Sequence, residues 1–262
     1  MSSSYPIFLK SFAFLEVEKS KPEVPQPPAL PGKPKLIKKN WLEKLILYTD
    51  EYEDQLINLK RTALYLEKLK LYKIEIEKYQ LRVNEVLSDT NVRIFRQEQN
   101  RLVLAKTQYA DLSSRETLKG RYESFFNVFL INFFPDKILD NLEFCLPNGN
   151  AFVPDFSYID KSTGLCVDIE IDEPYTSESK QPIHYINADD YRNRYFQSKG
   201  WFVIRFAEIQ IVKYPTECCE YISSVINHIL KGNELNLFLY SVKSWSVFES
   251  NEMASIDFRN SY

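Results

Sequence analysis

Three carboxylates, Asp168, Glu170 and Asp172, stand at alternate positions in the run Leu165-Cys-Val-Asp-Ile-Glu-Ile-Asp172, interleaved with Val167, Ile169 and Ile171. Period-two alternation is that of a β-strand, whose successive side chains point to opposite faces. The three acids therefore share one face and the three aliphatic residues the other. The preceding run, Val153-Pro-Asp-Phe-Ser-Tyr-Ile-Asp160, reads as a partner strand joined through a tight turn at Lys161-Ser-Thr-Gly164, which brings Asp155 beside the acids. Carboxylates at this density repel unless a cation or a shared proton relieves them. Hard oxygen donors suit Mg²⁺ or Mn²⁺, and the chemistry they support is metal-assisted hydrolysis. The bland alternative is a solvated acidic face, and Asp168 in particular reads as a surface charge.

These acids need elements to position them. A helix is expected from the capping-box pattern Ser113-Ser-Arg-Glu116, running through Tyr122, Phe125, Phe126, Phe129 and Leu130 with Glu123 at its middle and stopping before Pro135. A strand at 142–146 follows, then the hairpin signal Asn148-Gly149 and the two acidic strands. Ala188–Lys199 reads as a helix ended by Gly200, Trp201–Phe206 as a buried strand, and Thr216–Leu230 as an amphipathic helix closed by Gly232. Three strands joined by hairpins make an antiparallel meander, and a fourth arriving through a helix pairs in parallel. The expected class is α/β with a mixed sheet.

The front of the chain differs in kind. Residues 21–34 are rich in proline and read as an extended, semi-rigid spacer. Between Pro34 and Gly120 there is neither glycine nor proline, and Leu59, Ala63, Leu66, Leu69, Tyr72, Ile76, Tyr79, Val83 and Val86 recur at steps of three and four. That is a helical stripe near the coiled-coil period, broken at Ser88-Asp-Thr-Asn91, with a second helix from about Val92 to Ala110. Such a helical hairpin folds back on itself or pairs with another chain. Four segments result: 1–34, a helical hairpin or coiled coil at 35–112, an α/β domain at 113–232, and an extension at 233–262 holding one short element near 235–242 and a loose polar end.

Residues 1–119 hold 21 basic and 16 acidic residues and residues 120–262 hold 12 and 20, so the front could meet phosphates and the back cations. No apolar run is long enough for a membrane span and no signal-peptide pattern is present, which gives the expectation of a cytoplasmic protein without a membrane partner. Cys145, Cys166, Cys218 and Cys219 form no Cys-x-x-Cys pair, and His184 and His228 stand at no zinc-ligand spacing, so reduced thiols are expected.

Taken in order, several short patterns converge: Glu123; Pro154-Asp155-Phe156; Glu170-Ile-Asp172; then Asp189, Arg192, Gly200, Trp201, Val203, Arg205 and Phe206. Together these resemble the PD-(D/E)xK nuclease superfamily, in its very-short-patch-repair-endonuclease-like branch, over roughly residues 114–230. The resemblance implies a restriction-endonuclease-like αβββαβ core and a metal-dependent DNA endonuclease. It implies Asp155, Glu170, Asp172 and Glu123 as catalytic residues. Mg²⁺ or Mn²⁺ would be held by Asp155, Glu170, the Ile171 carbonyl and Asp172. Two departures stand out. The superfamily's usual lysine is replaced by Asp172, and the branch's Gly and His after it are lacking, with Glu173 at the Gly position. Lys180 and His184 are candidate substitutes, and Gln210 a candidate for positioning water or metal. DNA is the expected partner, with the helical arm positioning DNA, binding a protein or forming a homodimer. The alternatives are a catalytically impaired nuclease fold serving as a scaffold, and a cleavage subunit active only inside a larger defence or transposition complex.

Overall fold

A computed structural model describes residues 4–39, 43, 51–113, 120–235 and 239–262. The chain divides into two compact units, one of residues 1–20 and 95–262 and the other of residues 21–94.

The first unit is α/β. Its main sheet has five strands in the order β2 (Ile7–Leu9), β9 (Phe202–Ala207), β8 (Leu165–Asp172), β7 (Phe156–Asp160) and β4 (Ile138–Leu139). The β8–β9 pair is parallel and the others antiparallel, so the sheet is mixed. Strand β8 is central, and every residue in it is buried. Against one face, Phe126 and Leu130 of α4 (Glu123–Phe133) and Ile222, Val225 and Ile229 of α7 (Pro215–Lys231) pack on Val167, Ile169 and Ile171. Against the other lie Cys166, Val203, Trp201 and Phe196 of α5 (Asp190–Ser198). A central strand dry on both faces is the rule where a parallel crossover lays a helix on the sheet.

Several expectations are corrected here. The three-strand meander is not formed. Strand β5 (Leu142–Cys145) pairs with β6 (Ala151–Phe152) across the Asn148-Gly149 turn, but both belong to a separate small sheet with β3 (Asp111–Leu112). Pro154, which has no N–H to donate, stands between β6 and β7, and β7 takes β4 as its outer neighbour. The helix expected from Ser113 begins at Glu123, which therefore stands in the first turn and not mid-helix; residues 114–119 of the capping-box reading lie outside the described residues. The amino terminus joins the fold: β2 extends the main sheet, β1 (Ser4–Tyr5) pairs with β10 (Val242–Lys243), and helix α1 (Phe12–Lys19) follows. The carboxy terminus is not loose. Helix α8 (Val247–Ser255) carries a Ser246/Glu249 capping box, and Arg259, buried, forms an ion pair with buried Glu208 that also receives the Tyr262 hydroxyl. Part of the short element expected near 235–242, residues 236–238, lies outside the described residues.

Gly164 closes the β7–β8 turn with φ of +79°, and a Cβ there would lie 2.3 Å from the Leu104 carbonyl oxygen. Gly164→Ala is expected to lower unfolding stability by about 2 kcal/mol or more, combining left-handed strain with a backbone clash that no side-chain rotation relieves. Urea unfolding followed by tryptophan fluorescence measures this, and an unchanged midpoint would contradict it.

In the second unit, α2 (Glu51–Val86) is followed across a short turn by α3 (Asp89–Leu104), which continues into the first unit and ends six residues before the expected Ala110. The half-buried residues of α2 include Tyr65, Leu69, Tyr72, Ile76, Tyr79, Val83 and Val86, stepping by four and three, whereas Leu59, Ala63 and Leu66 of the expected stripe are exposed. The proline-rich segment has its own period. Pro22, Pro25, Pro28, Pro31, Pro34 and Ile37 are half-buried and the residues between them exposed. Three residues per turn is the repeat of a polyproline II helix. Asn58 bonds both backbone groups of Ile37, at 2.8 and 3.0 Å, Arg61 donates to the Lys35 carbonyl at 2.6 Å, and Lys39 pairs with Asp54 at 2.6 Å. One polyproline turn rises about 9 Å and one heptad of α-helix about 10 Å, so a proline every third residue meets a tyrosine every seventh nearly in step. The segment expected as a spacer is thus a strap lying antiparallel on α2.

Candidate functional site

The acidic face of β8 is not solvated. Asp168, Glu170 and Asp172 are each 1 % exposed or less, and two arginines lie over them. Glu170 stands opposite Arg205 in the parallel β8–β9 register, and α5 supplies Arg192 from above the same face. Burial of this many carboxylates is tolerable only with countercharge, and the details divide the cluster in two.

The first half gathers around Glu170. Asp155 immediately precedes β7, opposite Glu170. Its backbone N–H reaches Glu170 Oε1 at 3.3 Å, and its own Oδ2 accepts from the Ile171 N–H at 2.7 Å. Arg192 Nη2 donates to the same Glu170 oxygen at 2.5 Å and to the Val153 carbonyl at 2.8 Å. Burial, then the Glu170 charge, then that of Glu123, push the Asp155 carboxyl well above the usual carboxylate range, against the opposing pull of Arg192. Glu123 Oε1 accepts from the Gly120 N–H at 2.6 Å, at the amino end of α4. Asp168, expected as a surface charge, is fully buried, and neither oxygen finds a donor. Burial and the neighbouring Glu170 push its carboxyl well up. A proton on Asp168 would let it donate to Glu170 and relieve the charge of the pair.

The second half gathers around Arg205, 2 % exposed. Its Nε and Nη2 grip Asp172 at 2.9 and 2.6 Å, Nη2 also reaches Asp189 at 2.9 Å, and Nη1 reaches Asn193 at 3.0 Å. Tyr5, from the far amino terminus, donates to Asp172 at 2.9 Å. His184 Nδ1 lies 3.0 Å from Asp189 and 3.4 Å from Asp172. Burial alone would hold this imidazole down, but Asp172 and Asp189 outweigh it and raise the ring to about 9.

No family model, no curated protein and no solved structure matches this chain. The chemistry is therefore assigned from the geometry.

Among the described residues, the one set of three acidic or imidazole side chains whose ligand atoms lie within 4.8 Å of one another is Asp172, His184 and Asp189. That set already surrounds the Arg205 guanidinium, and His184 is itself a cation at neutral pH, so its donors are committed. The structure does not bring Asp172 together with Asp155 and Glu170 as ligands of one ion. It does bring Asp155 and Glu170 together, with Glu123 near enough to act on Asp155. Ile171 contributes its N–H to hold Asp155. Lys180 pairs with Asp257 and lies over the Tyr175 ring. Gln210 is buried, with Oε1 accepting from the Ala207 N–H at 3.0 Å and Nε2 donating to the Tyr240 carbonyl at 2.7 Å, so it caps α6 (Glu208–Lys213). The sequence carried no sign of the parts played by Asp168 and Tyr5; it allowed Arg192 and Arg205 to pair with Asp189 or Glu208, and the structure pairs Arg205 with Asp189 but sets Arg192 on Glu170 and Arg205 on Asp172.

His184 gives a pH prediction. Its folded value lies above the ordinary 6.5, so the stability it contributes is fully present below pH 6.5 and is lost as the pH rises through about 9. The loss is expected to be about 2–3 kcal/mol, and His184→Gln is expected to flatten it. Thermal unfolding across that range is the measurement, and equal slopes in both proteins would contradict the assignment.

Proposed function

We propose that the α/β unit is a restriction-endonuclease-like core and that the protein is a metal-dependent DNA endonuclease with its site at Asp155, Glu170 and Glu123. The observation that carries this reading is the Asp155–Glu170 pair, two carboxylates held against each other on adjacent strands by backbone N–H groups, whose mutual charge helps push the Asp155 carboxyl well up. Structural acids in the same sheet behave differently: Asp172 is fully countered by Arg205. The donor set is all hard oxygen, as Mg²⁺ and Mn²⁺ require. Asp155 and Glu170 would hold a divalent cation there, which would supply an activated water and neutralise charge on the attacked phosphodiester.

The chain's own residues prepare that site. The Ile171 N–H holds Asp155 through Oδ2, so Oδ1 is the oxygen not engaged by that bond. Arg192 holds Glu170 in place, an outer layer of the kind that orients metal-binding carboxylates. Among the described residues no lysine forms an ion pair with Asp155 or Glu170, so activation of water would fall to the ion. The test is plasmid nicking in Mg²⁺ or Mn²⁺ by wild type, Asp155→Asn and Glu170→Gln; nicking confined to wild type supports the reading, and nicking by all three sinks it.

A second reading has its own observation. Arg192 lies on Glu170 and Asp172, at the superfamily's lysine position, is neutralised by Arg205. A fold so compensated serves as a scaffold without catalysis, and a wild type that binds no divalent cation would favour it.

A further inference from the structure

Helix α2 carries an exposed apolar stripe, Ile57, Leu64, Leu71, Ile74 and Leu81, with exposures from 39 % at Ile57 to 69 % at Leu81 among the described residues; Leu64 stands at the strap's edge beside Pro34 and Lys35, and Leu56, Leu59 and Leu66 are exposed outside the stripe. Its spacings of seven, seven, three and seven are those of a coiled-coil seam. The remaining seam positions are Lys60, Glu67, Lys78 and Glu85, all exposed. Written as heptads, 57, 64, 71, 78 and 85 hold one seam position and 60, 67, 74 and 81 the other.

We infer that α2 pairs with α2 of a second copy of this chain, antiparallel, through this stripe. The charge order selects the occupant and the direction. In an antiparallel pair the two kinds of seam position face each other. In the register that sets Leu71 against Ile74, Leu64 meets Leu81, Glu67 meets Lys78, and Lys60 meets Glu85. Each layer occurs twice by symmetry, as an isologous interface requires. Every apolar residue in those layers meets an apolar one and every charge its opposite. On the rim Lys68 faces Glu75 and Lys70 faces Glu77, with Arg61 against Arg82 the one like-charge pair. A parallel pair would put Lys60, Glu67, Lys78 and Glu85 each against its own copy, four repulsive layers in one seam. Like charges in such positions set orientation as strongly as they set affinity. The inference is independent of the nuclease reading.

Sedimentation of the full chain tests it, using Lys78→Glu, Glu67→Lys and the two combined. Wild type is expected to be a dimer in the micromolar range. Each single charge reversal places like charges in two symmetry-related layers and is expected to weaken the dimer about tenfold or more. The double variant restores opposite charges and is expected to recover most of that loss, which also shows that the singles fold. A wild type that stays monomeric while fully helical by circular dichroism overturns the proposal. So do single variants that dimerise as wild type does, the parallel-pair result, and a double variant no tighter than the singles.

Discussion

Replacing Arg205 with methionine is expected to destabilise the α/β unit by about 3–5 kcal/mol, the cost of leaving a buried charge without its partner. The guanidinium is the hub of its half of the cluster, with hydrogen bonds to Asp172, Asp189 and Asn193. With it gone, Asp172 keeps the Tyr5 hydroxyl and the His184 ring 3.4 Å away but loses its two-pronged guanidinium partner, and the buried carboxylate is left undercompensated. Methionine fills much of the space, so the loss reports charge more than volume. Asp172→Asn combined with Arg205→Met is expected to be less damaging than the sum of the two single changes, by about 1–3 kcal/mol, because the residues share one network. Arg205→Lys is expected to rescue little, since a point charge cannot make the fork to Asp172 while also reaching Asp189. Denaturant unfolding monitored at Trp201, which lies in the core beside Val203, is the measurement. Additive effects would show that Arg205 and Asp172 are not one unit.

Asp155→Asn is expected to act in two opposite directions. In the metal-free protein the folded chain holds the Asp155 proton to higher pH than the unfolded chain does. Stability from this group is therefore present at low pH and lost as the pH rises through the raised value, above which the pair is repulsive. The neutral amide removes that repulsion, and its oxygen still accepts from the Ile171 N–H. Above the raised value the variant is expected to be more stable than wild type by about 1 kcal/mol. Cleavage in Mg²⁺ or Mn²⁺ is expected to fall about a hundredfold or more, the upper end of the effect even of residues that only orient a metal's ligands. A variant less stable than wild type would mean that Asp155 is a structural acid already satisfied by its neighbours.

The alternation along β8 was legible because a strand's faces follow from period two, and so was the placement of Asp155 beside Glu170. What was not legible is what covers the acidic face. Alternating acids read as a solvated side because antiparallel sheets commonly leave one side wet. Here the crossover through α5 closes that side and delivers Arg192, while the β8–β9 register delivers Arg205. A register is a property of two strands together, and neither strand's sequence states it. The ion pair of Glu208 with Arg259 and the Tyr5–Asp172 bond join residues 51 and 167 positions apart, beyond any local pattern. Along α2 the heptad steps were visible, yet the partner was expected to be another helix. The proline repeat of three, with tyrosines at 65, 72 and 79, carried the signal that the partner is the strap.

Titration of Mn²⁺ into the wild-type chain and Asp155→Asn, followed by calorimetry, tests the site most directly when the same preparations are assayed for plasmid nicking. The expected result is saturable binding and nicking by wild type, binding that weakens as the pH falls because protons compete for Asp155, and loss of both in the variant. Absence of saturable binding by wild type, or equal binding by the variant, would contradict the assignment of Asp155 and Glu170 as a metal-dependent catalytic pair.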